Sequence, residues 1–215
     1  MLFIVNTDCD PVDVYYKLPD ELIMHSENVG KYSSCLYKLA FDSGLFGNAL
    51  SNRQLSRIQN AVKFHDIGKS VYDPTFLYRS TRFTDLERKL MIWHVDLGLL
   101  IFQKTMARER AGPHANMFLD TVYDAIAHHH EWFNGDGYPR GLRGEEISPV
   151  GQICAICDYY DALRSRRTYH EAMTHAQVMD KILDERGTHF NPQLVDLLIK
   201  HEQDFKHLKR WRNRE

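Results

Sequence analysis

The sequence predicts an all-α fold. Over several long stretches, apolar residues recur at the spacing that places them on one face of a helix. Residues typical of helix starts and ends bracket these stretches, including the run from Thr84 to Glu87 and glycines that follow the apolar segments. The interval 134–144 differs, because it holds four glycines and a proline, which is typical of a loop. The chain therefore reads as a series of helices interrupted by one marked loop.

The first two helices are predicted over residues 19–41 and 52–66. The first carries apolar residues at helical spacing and is broken by Gly44. The second ends before Gly68, because glycine is the residue most often found just past a helix C-terminus. This reading places His65 and Asp66 at a helix end.

A third helix is predicted to begin at Thr84, because Thr84 and Glu87 match a capping box. Its inward-facing apolar residues continue to Leu100, which puts His94 in the middle of the helix. Four further helices are predicted over residues 117–130, 149–163, 170–185 and 192–205.

Length and charge narrow the classes of function. The chain has 215 residues, 43% of them hydrophobic, which fits a single domain over 1–215 with a core at about 19–200. The net charge of −2 gives no reason to expect DNA or an acidic membrane as a partner. No apolar run reaches the roughly 18 residues that span a bilayer and the start has no basic signal region, so we expect a soluble cytoplasmic protein. Residues 206–215 are predicted to be a solvated basic tail.

The four cysteines are too few for a disulfide framework in a domain of this size. Cys154 and Cys157 have the spacing of a metal-binding pair, but they lie in an apolar stretch and no second pair accompanies them. We therefore predict that both are small buried core residues.

Several histidines and one aspartate, in short runs along the chain, are candidate metal ligands. His65 and Asp66 are adjacent, so both serve one site only if it lies off the helix end. His129 and His130 precede the glycine-rich loop. For His94, which lies in an apolar helix, a core imidazole satisfied by one hydrogen bond is the plain alternative.

Carboxylates extend this pattern. Glu21 and His25, spaced i and i+4, share a helix face, although such a pair alone is more often a surface pair. Asp158 and Asp161 lie in an apolar helix, which tolerates carboxylates poorly unless a metal or a cation meets them. Imidazoles and carboxylates without nearby thiolates favour a hydrolytic or oxygen-handling metal site.

In this order and with these gaps, the motifs resemble the HD-GYP subfamily of the HD phosphohydrolase superfamily. They are His65-Asp66-Ile67-Gly68-Lys69, His94, His129-His130-Glu131 followed by Asn134-Gly135-x-Gly137-Tyr138-Pro139, and Asp158-x-x-Asp161-Ala162-Leu163. The resemblance runs over residues 21–198. It implies an HD-domain helical bundle with a GYP loop, two or three divalent metal ions, usually iron or manganese, and hydrolysis of a cyclic dinucleotide such as cyclic di-GMP.

The resemblance also implies roles for individual residues. The metal ligands matched are His65, Asp66, His94, His129, His130 and Asp158, with Asp66 in the bridging position. His25 and Glu21 match the additional ligands of members with a third ion. Lys69 matches the lysine at the scissile phosphate, and Arg167 an arginine that holds the ligand. Tyr138 and Pro139 belong to the loop that shapes the pocket wall and offers a docking surface for partner proteins.

Three positions depart from the pattern of this subfamily. Asn134 stands where the subfamily usually has Asp, Thr168 where it usually has Pro, and His170 where Lys or Arg is common. None of the three matches a metal ligand, so they affect the preference for a base rather than catalysis. Because the charge of His170 changes near pH 6.5, we expect relaxed discrimination against adenine and acceptance of 3'3'-cyclic GMP-AMP alongside cyclic di-GMP.

The predicted activity follows from the donor set. Eight donors suffice for two roughly octahedral ions with room for a bridging hydroxide that attacks one phosphodiester bond. The product is the linear dinucleotide, and further cleavage to mononucleotides stays open. The alternatives are a catalytically weak receptor for the same nucleotides and another HD enzyme, either a mononuclear nucleotidase or a di-iron oxygenase. The complete donor set disfavours the receptor, and the loop and the second histidine pair disfavour the other enzymes.

Overall fold

A computed structural model describes residues 9–79, 81–110, 117–165 and 171–208. Within these ranges the chain forms α-helices and short 3₁₀ segments and no β-strand. The first six helices are α1 (Pro11–Tyr15), α2 (Asp20–Ser43), α3 (Asn52–Leu55), α4 (Ile58–Val62), α5 (Pro74–Leu77) and α6 (Asp85–Ile92). The other six are α7 (His94–Arg110), α8 (Met117–His128), α9 (Pro149–Arg164), α10 (His175–Asp184), α11 (Pro192–Lys200) and α12 (Glu202–His207). The 3₁₀ segments are Gly47–Ala49, Ile67–Val71 and Gly144–Glu146. The all-α prediction is confirmed.

Local sequence signals explain where the long helices begin and end. The predicted first helix is α2, and it ends at Gly44, whose φ of 72° is easily reached by glycine. The hydroxyl of Thr84 accepts from the amide of Glu87, whose carboxylate accepts in return, so the predicted capping box of α6 is confirmed. At α9, the hydroxyl of Ser148 caps the helix and Pro149 occupies its first turn.

Two predicted helices are in fact interrupted. The segment 52–66 forms α3, α4 and a turn that carries His65, and His94 is the first residue of α7 rather than a residue in mid-helix. His65 and His94 make the same kind of contact. Nδ1 of His65 lies 3.0 Å from the carbonyl of Val62, and Nδ1 of His94 lies 2.6 Å from the carbonyl of Met91. In a continuous helix each of these carbonyls would accept from the amide four residues later. Here the imidazole three residues later is a further donor to the carbonyl, and that of Val62 also accepts from the amide of His65 at 2.9 Å, which tightens the turn at the helix end.

Three later boundaries also differ from the prediction. The helix predicted over 117–130 is α8, which ends at His128, so His129 lies just beyond it. The helix predicted over 170–185 is α10, which begins at His175 because Thr174 and Gln177 form a capping box. The helix predicted over 192–205 is divided at His201 into α11 and α12.

The apolar side chains form two clusters, and two helices contribute to both. The larger cluster joins α2, α9 and the C-terminal helices α10 to α12, while the smaller joins α1, α7 and the segment Ile67–Val71. Helix α4 contributes Val62 to the larger cluster and Ala61 to the smaller, and α8 contributes Ala125 and Ile126 in the same way. Helices α4 and α8 also pack against each other. The C-terminal ends of α4 and α8 therefore lie at the boundary between the two clusters.

The four cysteines are free thiols, and Cys154 and Cys157 lie buried in the larger cluster, as predicted. Among the described residues, no helix combines the length and apolarity needed to cross a membrane. The basic tail predicted over 206–215 begins within α12, and residues 209–215 lie outside the described ranges. The division into a single domain with a core at about 19–200 stays a prediction.

Candidate metal centre

Asp66 lies at the centre of the predicted donors. Its Oδ1 is 3.3 Å from Nε2 of His94 and 3.7 Å from Nε2 of His129. Its Oδ2 is 3.5 Å from Nε2 of His65 and 4.0 Å from Nε2 of His25. One buried carboxylate thus faces two sets of imidazoles, one on each oxygen.

The donor atoms form two groups that share Asp66. One group is Asp66, His94, His129 and His130, and the other is His25, His65 and Asp66. Within each group the ligand atoms lie within 4.8 Å of one another, which is compact enough to hold one ion. We call them the first and the second donor group.

Backbone carbonyls orient three of the histidines. Beyond the contacts of His65 and His94 that end their helices, Nδ1 of His129 lies 2.9 Å from the carbonyl of Ala125 and 3.0 Å from that of Ile126. In each ring Nδ1–H donates to the carbonyl, which leaves the lone pair of Nε2 directed at Asp66. The interaction that ends the helix therefore also aims the ligand.

Burial sets the charges of these groups. It lowers the pKa of His65 and of His130, and it lowers the pKa of His94 to about 3. Burial opposes the charge of Asp66, but Lys69 and His65 hold the pKa of its carboxyl well below the usual range. The imidazoles of His65, His94 and His130 are therefore neutral and the carboxylate of Asp66 is ionised at neutral pH, which are the forms that bind metal ions.

Two buried atoms support a metal at this place. Nε2 of His65 and Oδ1 of Asp66 are inaccessible to solvent and have no hydrogen-bond partner among the residues that the structure describes. A buried polar atom without a partner is costly in a folded protein and needs an explanation. Because both atoms point into the donor groups, a bound cation supplies that explanation, and the donor set fits a divalent ion.

His25 is held differently from the other histidines. Its Nε2 lies 2.9 Å from Oδ1 of Asp158, and its Nδ1 lies 2.8 Å from Oδ2 of Asp161. Burial opposes protonation of His25, but the hydrogen bonds to the two carboxylates outweigh it and raise its pKa to about 9. Asp158 is also 3.8 Å from Nε2 of His65, so it lies beside the second donor group. It belongs to neither donor group, and its role as a metal ligand stays a prediction.

Lys69 places a cation at the edge of the donors. Its Nζ is 2.5 Å from Oδ2 of Asp66, and its side chain is partly exposed. Gly68, the residue before it, passes so close to α7 that a Cβ there would lie 1.9 Å from the carbonyl oxygen of His94. The glycine of this motif therefore permits a backbone approach that no other residue allows.

The glycine-rich loop is fixed by one buried carboxylate. Glu131 accepts from the amide of Arg140 at 2.7 Å and from the amide of Leu142 at 2.9 Å. Tyr138 precedes a cis proline, and its ring lies 4.6 Å from that of His130. The loop is thus a formed wall beside the first donor group.

The other predicted site residues divide into two sets. Glu21 is exposed in the first turn of α2 and belongs to neither donor group, so its role as a ligand of a third ion stays a prediction. Arg167, Thr168 and His170 lie outside the described residues. Neither the role of Glu131 nor the partner of Asp161 was predicted from the sequence. For Asp161 a signal did exist, because a carboxylate in an apolar helix indicates a nearby cation.

Comparison with known proteins supports this assignment. The HD domain family matches residues 18–194. A protein of Vibrio cholerae named 3'3'-cGAMP-specific phosphodiesterase 2 is 31% identical over 73% of this chain and 28% of its own length. A probable cyclic di-GMP phosphodiesterase of the same organism is 32% identical over 74% of this chain and 36% of its own length. A cyclic di-GMP phosphodiesterase response regulator of Xanthomonas campestris is 30% identical over 80% of this chain and 43% of its own length.

This chain spans less than half the length of each of these relatives. The matched region nevertheless includes every residue of the two donor groups, since they all fall within residues 18–194. The chain belongs to the HD domain family, and its resemblance to the HD-GYP subfamily is confirmed.

Proposed function

We propose that this chain is a metal-dependent phosphodiesterase that opens a cyclic dinucleotide to the linear dinucleotide. The observation that carries the proposal is the shared position of Asp66, whose two oxygens face two donor groups while Lys69 lies on the same carboxylate. Two cation sites joined by one carboxylate suit in-line displacement at a phosphodiester. The names of the relatives supply the substrate class.

The residues fit two divalent ions, one at each donor group, and we propose iron or manganese. The ligands would be imidazoles and carboxylates, a mixture that suits these metals. Burial raises the pKa of the Cys154 thiol well above its usual range, so it stays protonated and does not compete as a soft ligand. A third ion would need Glu21 beside His25.

When bound, divalent ions lower the pKa of water and neutralise charge on phosphate oxygens. The side chains of this protein supply the rest. Asp66 keeps its charge at the centre of the site, and the neutral imidazoles present lone pairs without a proton to lose. The ammonium of Lys69 lies beside the carboxylate of Asp66. From there it would contact an anionic oxygen of a bound phosphate and stabilise the transition state.

We propose cyclic di-GMP and 3'3'-cyclic GMP-AMP together as substrates, because relatives of both names match at about the same identity. Arg167 and His170, predicted from the sequence to contact the substrate, lie outside the described residues. Further cleavage to mononucleotides and docking of partner proteins at the loop of Tyr138 stay predictions.

The test is product analysis on the purified chain. The protein is loaded with Fe²⁺ without oxygen or with Mn²⁺ and incubated with a panel of cyclic dinucleotides, and the products are separated by chromatography. We expect the linear dinucleotide from at least one guanine-containing substrate. Tight binding without any product in metal-loaded protein would support the receptor alternative, and turnover of mononucleotides alone would support another HD enzyme.

A further inference from the structure

His25 is placed between two carboxylates of the same helix. Asp158 and Asp161 lie one turn apart in α9, and they reach the ring from opposite sides, at Nε2 and at Nδ1. Nε2 is the nitrogen that also faces Asp66, at 4.0 Å. Nδ1 points away from the donor groups, and its partner Asp161 belongs to neither of them.

Asp161 is fully buried, so its charge requires compensation. Its Oδ2 lies 2.8 Å from Nδ1 of His25 and accepts from the hydroxyl of Ser165 at 3.3 Å. The carboxylate therefore lies behind the ring, at a distance where it fixes both the orientation of the ring and the position of the proton on Nδ1.

We propose that Asp161 is a positioning residue for His25 that strengthens metal binding at the second donor group. The inference rests on the proposed metal-dependent function. With a proton held on Nδ1 by Asp161, Nε2 keeps its lone pair for a cation and the ring cannot rotate away. A carboxylate also makes the imidazole a stronger ligand than a backbone carbonyl does, because it places a full negative charge on the distal nitrogen.

The difference from the other histidines supports this reading. His65, His94 and His129 lie just beyond α4, α6 and α8, and a carbonyl of that preceding helix orients each ring. His25 lies within α2, where the preceding carbonyls are used by the helix, so its orientation must come from another element. Helix α9 supplies that orientation through Asp161.

The experiment measures Mn²⁺ binding to the full chain in the absence of substrate. Metal is removed with a chelator, and free Mn²⁺ is followed by electron paramagnetic resonance during titration. Asp161→Asn keeps the volume and one acceptor but loses the charge. We expect the Mn²⁺ affinity of the more weakly binding site to fall about 10-fold. For Asp161→Ala we expect a fall approaching 100-fold. Asp180→Asn, which removes an exposed carboxylate of α10, is the matched control and should bind as the wild type does.

A second readout separates positioning from a purely structural role. The gain in Tm on adding Mn²⁺ reports affinity, so it should shrink in both Asp161 variants. Equal losses of Tm in the metal-free and the loaded protein, with unchanged Mn²⁺ affinity, would overturn the inference. If Asp161→Ala does not fold, the isosteric Asp161→Asn decides.

A double-mutant comparison tests whether Asp161 acts through His25. In a His25→Gln background, Asp161→Asn should cause no further loss of Mn²⁺ affinity. A loss of the same size in both backgrounds would contradict the proposal. A chain that binds Mn²⁺ as expected but hydrolyses no cyclic dinucleotide would contradict the proposed function and leave the role of Asp161 supported.

Discussion

The histidines around Asp66 are anchored in two different ways. His65, His94 and His129 donate from Nδ1 to backbone carbonyls three residues earlier, at helix ends. His25 lies inside a helix and donates to the carboxylates of Asp158 and Asp161. The first kind of anchor is local in sequence and neutral, and the second is distant in sequence and charged.

The anchors give the rings opposite electrostatic behaviour. Burial lowers the pKa of His94 to about 3, so it stays neutral over the ordinary pH range. Burial opposes protonation of His25 as well, but its two carboxylates raise its pKa to about 9. In the metal-free protein the neutral imidazole of His94 has a free lone pair for a cation, while His25 is the imidazolium, protonated on both nitrogens. The two donor groups therefore differ in what must happen before a metal binds.

The largest effect is expected at Asp66, because both kinds of histidine face it. Asp66→Ala removes the carboxylate shared by the two donor groups. We expect kcat to fall by about 10³-fold or more, which corresponds to roughly 4 kcal/mol in the barrier. Far-UV circular dichroism should show a helical fold close to that of the wild type.

Asp96→Ala, at an exposed position of α7, is the control for loss of a carboxylate. It should leave kcat unchanged. Near-normal turnover of the Asp66 variant with metals supplied would show that the two donor groups do not depend on a common ligand, and the proposed central role of Asp66 would be wrong.

Most of the first anchor could be predicted from the sequence, but its geometry could not. The family resemblance predicted His65, His94 and His129 as metal ligands, and Gly68 indicated that His65 lies at a helix end. The periodicity of apolar residues nevertheless extended the helix through His94, because that signal does not register an imidazole that takes the carbonyl of Met91. Whether a side chain bonds to a nearby helix carbonyl depends on how its ring is turned, and residue spacing does not reveal this.

The second anchor was harder to predict for a different reason. Asp161 lies 136 positions after His25, so only the packing of α2 against α9 brings them together. The sequence did indicate that a carboxylate in this apolar helix needs a metal or a cation. It did not indicate that the cation is a histidine rather than a metal ion, nor that Glu21, one turn before His25, is exposed.

Gly68→Ala should break the first anchor without touching a ligand. The new Cβ would lie 1.9 Å from the carbonyl oxygen of His94 and 2.6 Å from the amide nitrogen of Gly98, both rigid backbone atoms. We expect a loss of about 3 kcal/mol in the free energy of unfolding, measured by denaturant titration, together with loss of Mn²⁺ from the first donor group.

Gly187→Ala separates this clash from the ordinary cost of replacing a glycine. Gly187 has a φ of 82°, and its added Cβ would meet no atom of the described residues within 4 Å. Its replacement should cost only about 1–2 kcal/mol, through backbone strain. Equal losses in the two variants would mean that Gly68 does not position α7.

The opposite pKa shifts predict a stability maximum in the metal-free protein near pH 6.5. The folded-state pKa of His25, about 9, lies above its ordinary 6.5, so its contribution is complete below pH 6.5 and disappears as pH rises through 9. The folded-state pKa of His94, about 3, lies below 6.5, so its contribution is lost as pH falls from 6.5 towards 3. The alkaline loss should be on the order of 3 kcal/mol.

Thermal unfolding in chelator between pH 5 and 9.5 measures both arms. His25→Gln should flatten the alkaline arm and leave the acid arm, whereas His94→Gln should reduce the acid arm. An alkaline arm that persists in His25→Gln would show that another group is responsible for it.

The smallest effect concerns His130, whose ring packs against the rings of His94 and His129 and whose backbone carbonyl accepts from the amide of Tyr138 at 3.0 Å. Tyr138 lies against it, and Glu131 fixes the loop that carries Tyr138.

Glu131→Gln replaces one carboxylate oxygen by an amide NH₂ group. That group faces a backbone N–H, so one of the two hydrogen bonds to the loop is lost. We expect loop opening to become easier by about 1.4 kcal/mol, since a hydrogen bond to a charged group contributes roughly 1.5–3 kcal/mol. Because proteolysis follows the population of the open form, tryptic cleavage after the exposed Arg140 should accelerate about 10-fold. Glu145 is exposed in the 3₁₀ segment that follows the loop, and Glu145→Gln should leave the cleavage rate unchanged. An equal rate in both variants would mean that packing alone holds this wall of the site.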